Sequence, residues 1–192
     1  MKKKITLPNR CSIILKHANL EDVDGVWKNF NTVIDEGIYL PIFEKVCDVE
    51  KESWYEDIKL GRDLCVVAQI PNAKPPDNIA GQCEITDPEW DAAAHHVGIL
   101  GIIIREDFRG LGLGEILIDY AIRESKKIKD KAKIILSCFS TNSKAINLYN
   151  KLGFKKIGVR KKQFYMNDQF YDEVLMEIFI EDYLKDKEKT IK

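Results

Sequence analysis

The chain has 192 residues, 45% of them hydrophobic, which suits one globular domain that buries its own core. Lysine and arginine total 30 and aspartate and glutamate 31, so the net charge of -1 gives no reason to expect nucleic acid as a partner. No apolar run approaches the roughly 18 residues needed to cross a membrane, and no leader-like segment precedes ITLPNR. We therefore expect a soluble cytoplasmic protein without membrane contact.

The cysteines and histidines argue against disulfide and metal chemistry. The five cysteines are single and form no CxxC pair, and we expect Cys65, Cys83 and Cys138 to be small buried hydrophobic residues. His95 and His96 are adjacent and are predicted to point to opposite faces of a strand, which prevents them from sharing a metal ion. No metal is expected.

The first half of the chain alternates between strand and helix patterns. Residues 11–18 predict a strand, and residues 20–37 predict a helix with apolar residues at helical spacing, closed by Gly37. A more polar helix is expected at 49–60. Two strands then flank a proline-rich turn and form a predicted hairpin, at 63–70 and 78–86.

The second half continues the same alternation. A loop at 87–94 leads into an apolar strand at 95–104, which is expected to be buried on both faces. A helix at 115–127 and a strand at 132–140 follow. A helix at 143–152, capped by Asn142 and Gly153, then precedes a hairpin of two strands at 154–166 and 169–180. Residues 181–192 are predicted to be a frayed polar tail. This order implies a single α/β (α+β) domain with a central mixed sheet and helices on both faces.

Three glycines alternate at the start of the helix that follows the apolar strand. Gly110, Gly112 and Gly114 can leave the backbone free to turn successive N–H groups toward one point, and the helix N-terminus adds unpaired N–H groups. Such a concavity binds an anion, usually a phosphate group. The spacing fits neither the dinucleotide fingerprint nor the nucleotide P-loop, and on spacing alone a connection without any ligand stays open.

Two segments together resemble one family. The run R-G-L-G-L-G resembles the R/Q-x-x-G-x-G/A signature of the GNAT superfamily of acetyl-CoA-dependent N-acetyltransferases, with Arg109, Gly112 and Gly114 at its positions. Residues 142–154 resemble its second motif, N-x-x-A-x-x-x-Y-x-x-x-G-F, including Asn142 and Tyr149. The resemblance covers about residues 10–180. It implies a largely antiparallel sheet of about seven strands.

The resemblance also implies acetyl-CoA as cosubstrate and transfer of its acetyl group to a primary amine by direct attack in a ternary complex. The acceptor would be a protein N-terminus or lysine, or a small amine such as a polyamine or amino acid. Residues implied to hold the pyrophosphate are Gly110, Leu111, Gly112, Leu113, Gly114 and Glu115, and Arg109 of the same signature is also implied to bind the cofactor. Those implied for the rest of CoA are Ile102, Ile103, Ile104, Asn142 and Tyr149.

Catalytic roles follow from the same resemblance. Tyr149 is the expected general acid for the departing thiolate, and the candidate bases are Glu84 and His96, with His95 as another imidazole. An acceptor pocket is expected from aromatic residues (Trp27, Phe30, Tyr39, Trp54 and Trp90) and from carboxylates that could bind an ammonium group (Asp35, Glu36, Asp172 and Glu173). The alternative is an acyl-CoA sensor without turnover, and a homodimer is left open.

Overall fold

The strands form one mixed sheet. The computed structural model describes residues 2–88 and 91–191. Its strands are β1 (Lys3–Thr6), β2 (Ser12–His17), β3 (Leu64–Gln69), β4 (Ile79–Thr86), β5 (Val97–Ile104), β6 (Lys133–Phe139), β7 (Lys155–Met166) and β8 (Gln169–Phe179). They lie in the order β1-β2-β3-β4-β5-β6-β8-β7. The β5·β6 pair is parallel and the neighbouring pairs β1·β2, β2·β3, β3·β4, β6·β8 and β7·β8 are antiparallel, which confirms the predicted class with eight strands in place of about seven.

The helices begin and end largely where local chemistry predicts. They are α1 (Val23–Glu36), α2 (Asp48–Lys59), α3 (Asp91–Ala94), α4 (Leu113–Lys129), α5 (Ser143–Leu152) and α6 (Ile180–Ile191). Gly37 and Gly153 end α1 and α5 with φ of 66° and 94°, the left-handed conformation that glycine adopts without strain. The Asn142 side chain accepts a hydrogen bond from the Ala145 amide at 3.1 Å and so caps α5 as predicted.

The chain divides into two compact units. The first comprises Met1–Thr86 with Gly101–Arg123 and contains β1 to β4, α1, α2, the end of β5 and most of α4. The second comprises Asp87–Leu100 with Glu124–Lys192 and contains the start of β5, β6 to β8, α3, α5, α6 and the end of α4.

In the first unit, α1 is joined to β4 by buried side-chain hydrogen bonds. Asn29 donates its amide to the Ile79 carbonyl at 3.1 Å, and Gln82 donates to the Val26 carbonyl at 3.0 Å. The expected apolar face of α4 is also present, because Leu117, Ala121 and their neighbours Ile118 and Ile122 are all fully buried. Both helices are therefore held firmly on their sheet strands.

The second helix is attached much more lightly. None of the residues of α2 that the structure describes is buried. Half-buried Trp54 and Ile58 pack against an apolar cluster that consists of Ala18, Val26, Cys65, Val67 and Ile79. These two side chains thus join α2 to that cluster.

In the second unit, β6 and β8 supply the core. Ile134 lies opposite Ile178 and Leu136 opposite Met176, and all four side chains are buried. The β7–β8 hairpin turns at Asn167 and Asp168, which have φ of 50° and 58°. The predicted hairpin is confirmed, since two successive positive φ values suit the twist of a two-residue turn.

Both ends of the chain contain structure that the sequence interpretation did not include. The lysine-rich segment of β1 pairs with β2, where its polar residues suit an exposed edge strand. The expected frayed tail is wrong, because the structure places residues 180–191 in α6, where Ile180 and Tyr183 are buried. Acidic residues in its first turn, Glu181 and Asp182, favour the helix through its dipole.

The segment before and within β5 also differs from expectation. Asp91–Ala94 forms the short helix α3 in the predicted loop, and His95 and His96 lie in a turn. The two rings are in edge contact, with centroids 5.6 Å apart, and do not project from opposite faces of a strand. Expected burial of β5 on both faces is wrong as well, because burial alternates and Ile99 is 37% exposed.

We expect Gly81→Ala to destabilise the protein. Its new Cβ would lie 2.9 Å from the Ile103 carbonyl oxygen and 2.8 Å from the Ile104 side chain, and the backbone atom cannot move aside cheaply. Overpacking of this kind costs about 1–3 kcal/mol of unfolding free energy, measurable by urea denaturation. Gly101→Ala is the matched control. No described heavy atom lies within 4 Å of its added Cβ, so its effect should stay within about 0.5 kcal/mol. Equal stabilities of the two variants would contradict this account of β4 and β5.

Candidate functional site

The connection from β5 to α4 presents open backbone at a helix N-terminus. Gly110 and Gly112 have φ of +72° and +80°, and no heavy atom of the described chain lies within 4 Å of a Cβ built on either. The amides of the first turn of α4 have no acceptor inside the helix, except that the Ile116 amide reaches the Gly112 carbonyl at 3.3 Å. Such a turn, with the positive end of the helix dipole behind it, is suited to an anion.

Gly114 has a different role from the other two glycines. It lies within the first turn of α4, after Leu113, which is buried and fixes the start of the helix in the core. The left-handed glycines of the run are therefore Gly110 and Gly112. Glu115 also lies in this first turn, where the dipole favours a carboxylate.

The Arg109 side chain is engaged by the protein itself. Its Nη1 and Nη2 donate to the two carboxylate oxygens of Glu36 at 2.7 and 2.5 Å, and its Nε donates to the Ile104 carbonyl at 2.9 Å. The guanidinium carbon also lies 5.1 Å from the centre of the Tyr39 ring. Sequence reasoning placed Glu36 and Tyr39 around an amine and missed their contact with Arg109.

The end of β5 lies directly before this connection. Ile103 is buried, whereas Ile102 and Ile104 are partly exposed. The Arg105 amide donates to the Ala80 carbonyl at 3.0 Å, which holds the end of β5 against β4. The main-chain groups proposed for the pantetheine arm thus belong to a strand end with fixed geometry.

Glu84 is a half-buried carboxyl on β4, the neighbour of β5 in the sheet. Trp54 on α2 donates its indole N–H to Glu84 Oε1 at 3.2 Å, and Cys65 lies opposite Glu84 on β3. Burial raises the pKa of Glu84 to about 7, and the Asp63 carboxylate also raises it, whereas the Trp54 N–H and the Cys65 thiol lower it. A carboxyl with this pKa is suited to general base work near neutral pH.

Aromatic residues gather beside Glu84, but the expected free carboxylates are occupied. Trp27 contacts Phe30 and Trp54 edge to face, with ring centroids 5.3 and 5.4 Å apart. Asp35 pairs with Lys45, Glu36 with Arg109, Asp172 with Lys161 and Glu173 with Arg160. These partners leave the four carboxylates poorly suited to bind an ammonium group. Trp90 lies outside the described residues.

The second motif lies in the second unit and is built around α5. Tyr149 is 6% exposed, and its ring lies 5.8 Å from the Phe154 ring, centre to centre. The Tyr149 carbonyl accepts a hydrogen bond from the Phe154 amide at 3.0 Å, just after the left-handed Gly153. Tyr149 and Phe154 of the motif thus contact each other at the C-terminus of α5. Asn142 caps the other end of the helix.

The histidines and cysteines are less suited to catalysis than Glu84 and Tyr149. His95 and His96 are exposed in the turn before β5. Burial raises the pKa of the Cys65 and Cys83 thiols, and it raises that of the partly exposed Cys138 to about 11. The thiols therefore remain protonated and suit packing better than nucleophilic attack. Cys65 and Cys83 are buried as predicted.

The described residues offer neither a metal site nor a membrane span. In this part of the chain, no group of three or more His, Cys, Asp or Glu side chains is arranged to hold a metal ion. None of the helices described there is both long enough and apolar enough to span a membrane.

Comparison with known proteins gives the family. The model of the Acetyltransferase (GNAT) family matches residues 36–154, which is more than half of the chain and includes both motifs. The protein belongs to this family.

Individual relatives match over part of their length. An N-alpha-acetyltransferase of Sulfurisphaera tokodaii is 32% identical over 73 residues, 38% of this chain and 44% of that protein. A spermidine N(1)-acetyltransferase of Vibrio cholerae is 30% identical over 111 residues, 58% of this chain and 62% of that protein. The chain therefore spans roughly half the length of these curated relatives, 44% and 62%.

Solved structures share the fold more completely. A phosphinothricin acetyltransferase of the GNAT superfamily from Sinorhizobium meliloti, solved in complex with acetyl-CoA, superposes with a TM-score of 0.76. The superposition covers 87% of this chain and 88% of the Sinorhizobium meliloti chain, at 16% sequence identity. At this identity the likeness establishes the fold.

We expect Trp54→Phe to raise the pKa of Glu84 above 7. The substitution keeps an aromatic ring but removes the N–H that stabilises the ionised carboxyl, so the titration midpoint should rise by about half to one pH unit. Carbon-detected NMR of the carboxyl group would measure the midpoint, with Glu84→Gln to assign the signal. Trp27→Phe is the matched control. Its Nε1 has no hydrogen-bond partner in the described chain, so the midpoint should not move. A midpoint unaffected by Trp54→Phe would contradict the role of this hydrogen bond.

Proposed function

We propose that this protein is an acetyl-CoA-dependent N-acetyltransferase that acetylates a primary amine by direct attack in a ternary complex. The observation that carries the proposal is the backbone of the β5–α4 connection. Its two left-handed glycines are open to solvent, and the amides at the start of a 17-residue helix follow them directly. Membership of the GNAT family and the acetyl-CoA held by the Sinorhizobium meliloti structure support this choice of ligand.

The residues of the connection fit the phosphate part of that cosubstrate. Amides from Gly110 to Glu115 supply donors, and the open side of Gly110 and Gly112 lets an anion approach the backbone closely. When bound, acetyl-CoA supplies the thioester carbonyl that the amine attacks. Main-chain groups of Ile102–Ile104 would align the pantetheine arm, as in a short added strand.

Glu84 is the proposed general base. Primary amines have pKa values of about 8–10 and arrive mostly protonated, so attack requires loss of a proton. With a pKa of about 7, Glu84 is partly ionised at neutral pH and can accept that proton directly or through one water. The Trp54 N–H donates to Oε1 of this carboxyl and holds it in place. His96, exposed in its turn, is the weaker candidate.

Tyr149 is the proposed general acid. As the new N–C bond forms, the C–S bond breaks and its electrons remain on sulfur, so the thiolate takes up a proton. A phenol has a pKa of about 10 and a thiol about 8.5, so Tyr149 must act through its position in the site. Its burial and its contact with Phe154 restrict its rotamers, which favours such a role.

The acceptor is proposed to be a primary amine, either a protein N-terminus or lysine or a small amine such as a polyamine or amino acid. Relatives with these two acceptor classes in their names, from Sulfurisphaera tokodaii and Vibrio cholerae, support both. Trp54 donates to the Glu84 carboxyl and packs against the Trp27 ring, an arrangement suited to an alkyl chain that ends in an ammonium group.

Release of CoA thiol with a panel of acceptors would test the activity. Acetyl-CoA is combined with spermidine, with peptides that have a free N-terminus or a lysine, and with single amino acids. We expect release well above hydrolysis with at least one acceptor, and a rate that rises as pH passes about 7, where Glu84 loses its proton. Glu84→Gln is the control and should remove that rise. Tight CoA binding without release for any acceptor would instead support a sensor.

Tyr149→Phe should lower kcat about 10²-fold or more. The substitution removes only the hydroxyl and keeps the ring against Phe154, so the fold and the affinity for CoA should change little. Steady-state kinetics and calorimetric titration with CoA would separate the two quantities. Unchanged kcat would remove Tyr149 from the acid role. A matching loss of CoA affinity would reassign it to cofactor binding.

A further inference from the structure

Arg109 stands immediately before the first left-handed glycine, and most of its hydrogen-bonding capacity is used within the protein. Three of its five N–H groups donate to Glu36 and to the Ile104 carbonyl. The Tyr39 ring lies close to the guanidinium as well. The side chain that begins the glycine signature is thus bound to the end of α1, the end of β5 and the segment after α1.

We propose that Glu36 and Tyr39 are positioning residues for the cofactor, which act through Arg109, and that Arg109 shapes the glycine loop without binding phosphate itself. This inference rests on the acetyl-CoA site proposed above. It assigns a role to two residues outside both sequence motifs. It also separates Arg109 from the backbone amides that follow it.

The charges around Arg109 support this assignment. The carboxylate of Glu36 accepts two parallel N–H bonds from one guanidinium, a geometry that is directional as well as strong. The pair is only partly exposed, at 30% for Arg109 and 23% for Glu36, so water screens it incompletely. An anion drawn to Arg109 would meet the negative charge of Glu36 at the same point. The pair therefore adds little net attraction for phosphate.

The flexibility of glycine supplies the physical reason for such an anchor. Gly110 and Gly112 permit the left-handed turn, but they also leave the loop many other conformations. Binding an anion would then require the loop to be ordered at a cost in affinity. Anchoring the residue next to Gly110 at three points reduces that cost before the ligand arrives.

The anchor itself is firmly held. Glu36 is the last residue of α1, and buried hydrogen bonds from Asn29 and Gln82 join α1 to β4. Ile104 ends β5, whose next amide is bonded to Ala80. Both partners of Arg109 therefore belong to well-ordered elements, and the position of Arg109 is fixed with them.

A double-mutant cycle on CoA binding would test the inference without any need for turnover. We expect Glu36→Gln and Arg109→Gln each to raise the dissociation constant for CoA about tenfold, measured by isothermal titration calorimetry. The double variant should be no more than about twofold weaker than either single one, because both remove the same link. Arg109→Lys should also weaken binding, since lysine keeps the charge but not the paired hydrogen bonds.

Three controls make the outcomes distinct. Asp107→Asn breaks a similar bidentate pair with Arg105 in the same loop and should leave CoA affinity within about twofold. Gly112→Asp places a side chain and a negative charge in the open turn, and normal CoA binding by this variant would refute the cofactor site itself. Thermal unfolding of each variant shows whether it is folded. If Arg109→Gln does not fold, Glu36→Gln and Arg109→Lys decide the question.

The inference fails if Arg109 behaves as a direct ligand of phosphate. Arg109→Gln would then weaken CoA binding while Glu36→Gln leaves it unchanged or tightens it, and Arg109→Lys would keep most of the affinity. It also fails if Gly112→Asp abolishes CoA binding but each of the Glu36 and Arg109 variants binds CoA within about twofold of the unmodified protein. In that case the cofactor site stands and the positioning role does not.

Discussion

The turn of the chain between β5 and α4 is the constraint on which the first unit depends. Leu113 and the apolar face that contains Leu117 and Ala121 must be buried, and this brings the start of α4 directly beyond the end of β5. Residues 105–112 make this connection through a 3-10 turn at Glu106–Phe108 and a left-handed backbone at Gly110 and Gly112. The positive end of the α4 dipole therefore lies beside the open turn at Gly110 and Gly112, which suits an anion.

The environment of Glu84 shows how opposing effects give a useful pKa. Burial and the neighbouring Asp63 favour the protonated form, whereas the Trp54 N–H and the Cys65 thiol favour the charged one. The pKa lies near neutrality because burial outweighs the hydrogen-bond donors, which offset only part of its effect. A carboxyl in water would be ionised but a poor base, and a carboxyl without donors would hold its proton too tightly.

Features with a local chemical cause could be predicted from the sequence, and features with a distant cause could not. Asn142, Gly37 and Gly153 mark helix ends because capping depends on residues a few positions apart. The pair of Glu36 and Arg109 joins residues 73 positions apart, and nothing in either local pattern indicates it. The same holds for the hydrogen bond from Trp54 to Glu84, which decides the chemistry of the candidate base.

Composition misled the prediction at both ends of the chain and at β5. The charged residues of α6 suggested a frayed end, and the lysine-rich β1 was assigned no element, yet a helix with one buried stripe and an edge strand need few apolar residues. Conversely, the apolar sequence of β5 suggested burial on both faces, although Ile99 and Gly101 are exposed. Hydrophobicity shows that a segment is able to be buried, and the fold decides which faces are covered.

The light attachment of α2 has a consequence for motion. Trp54 contributes both an apolar contact and a hydrogen bond to Glu84, while the described residues of α2 include none that is fully buried. When Glu84 takes up a proton, a charge-assisted hydrogen bond becomes a neutral one of roughly half the strength. The free energy of this hydrogen bond therefore contributes both to the pKa of Glu84 and to the attachment of α2. The helix is held most tightly while the carboxyl is charged, and it loosens once the proton has arrived.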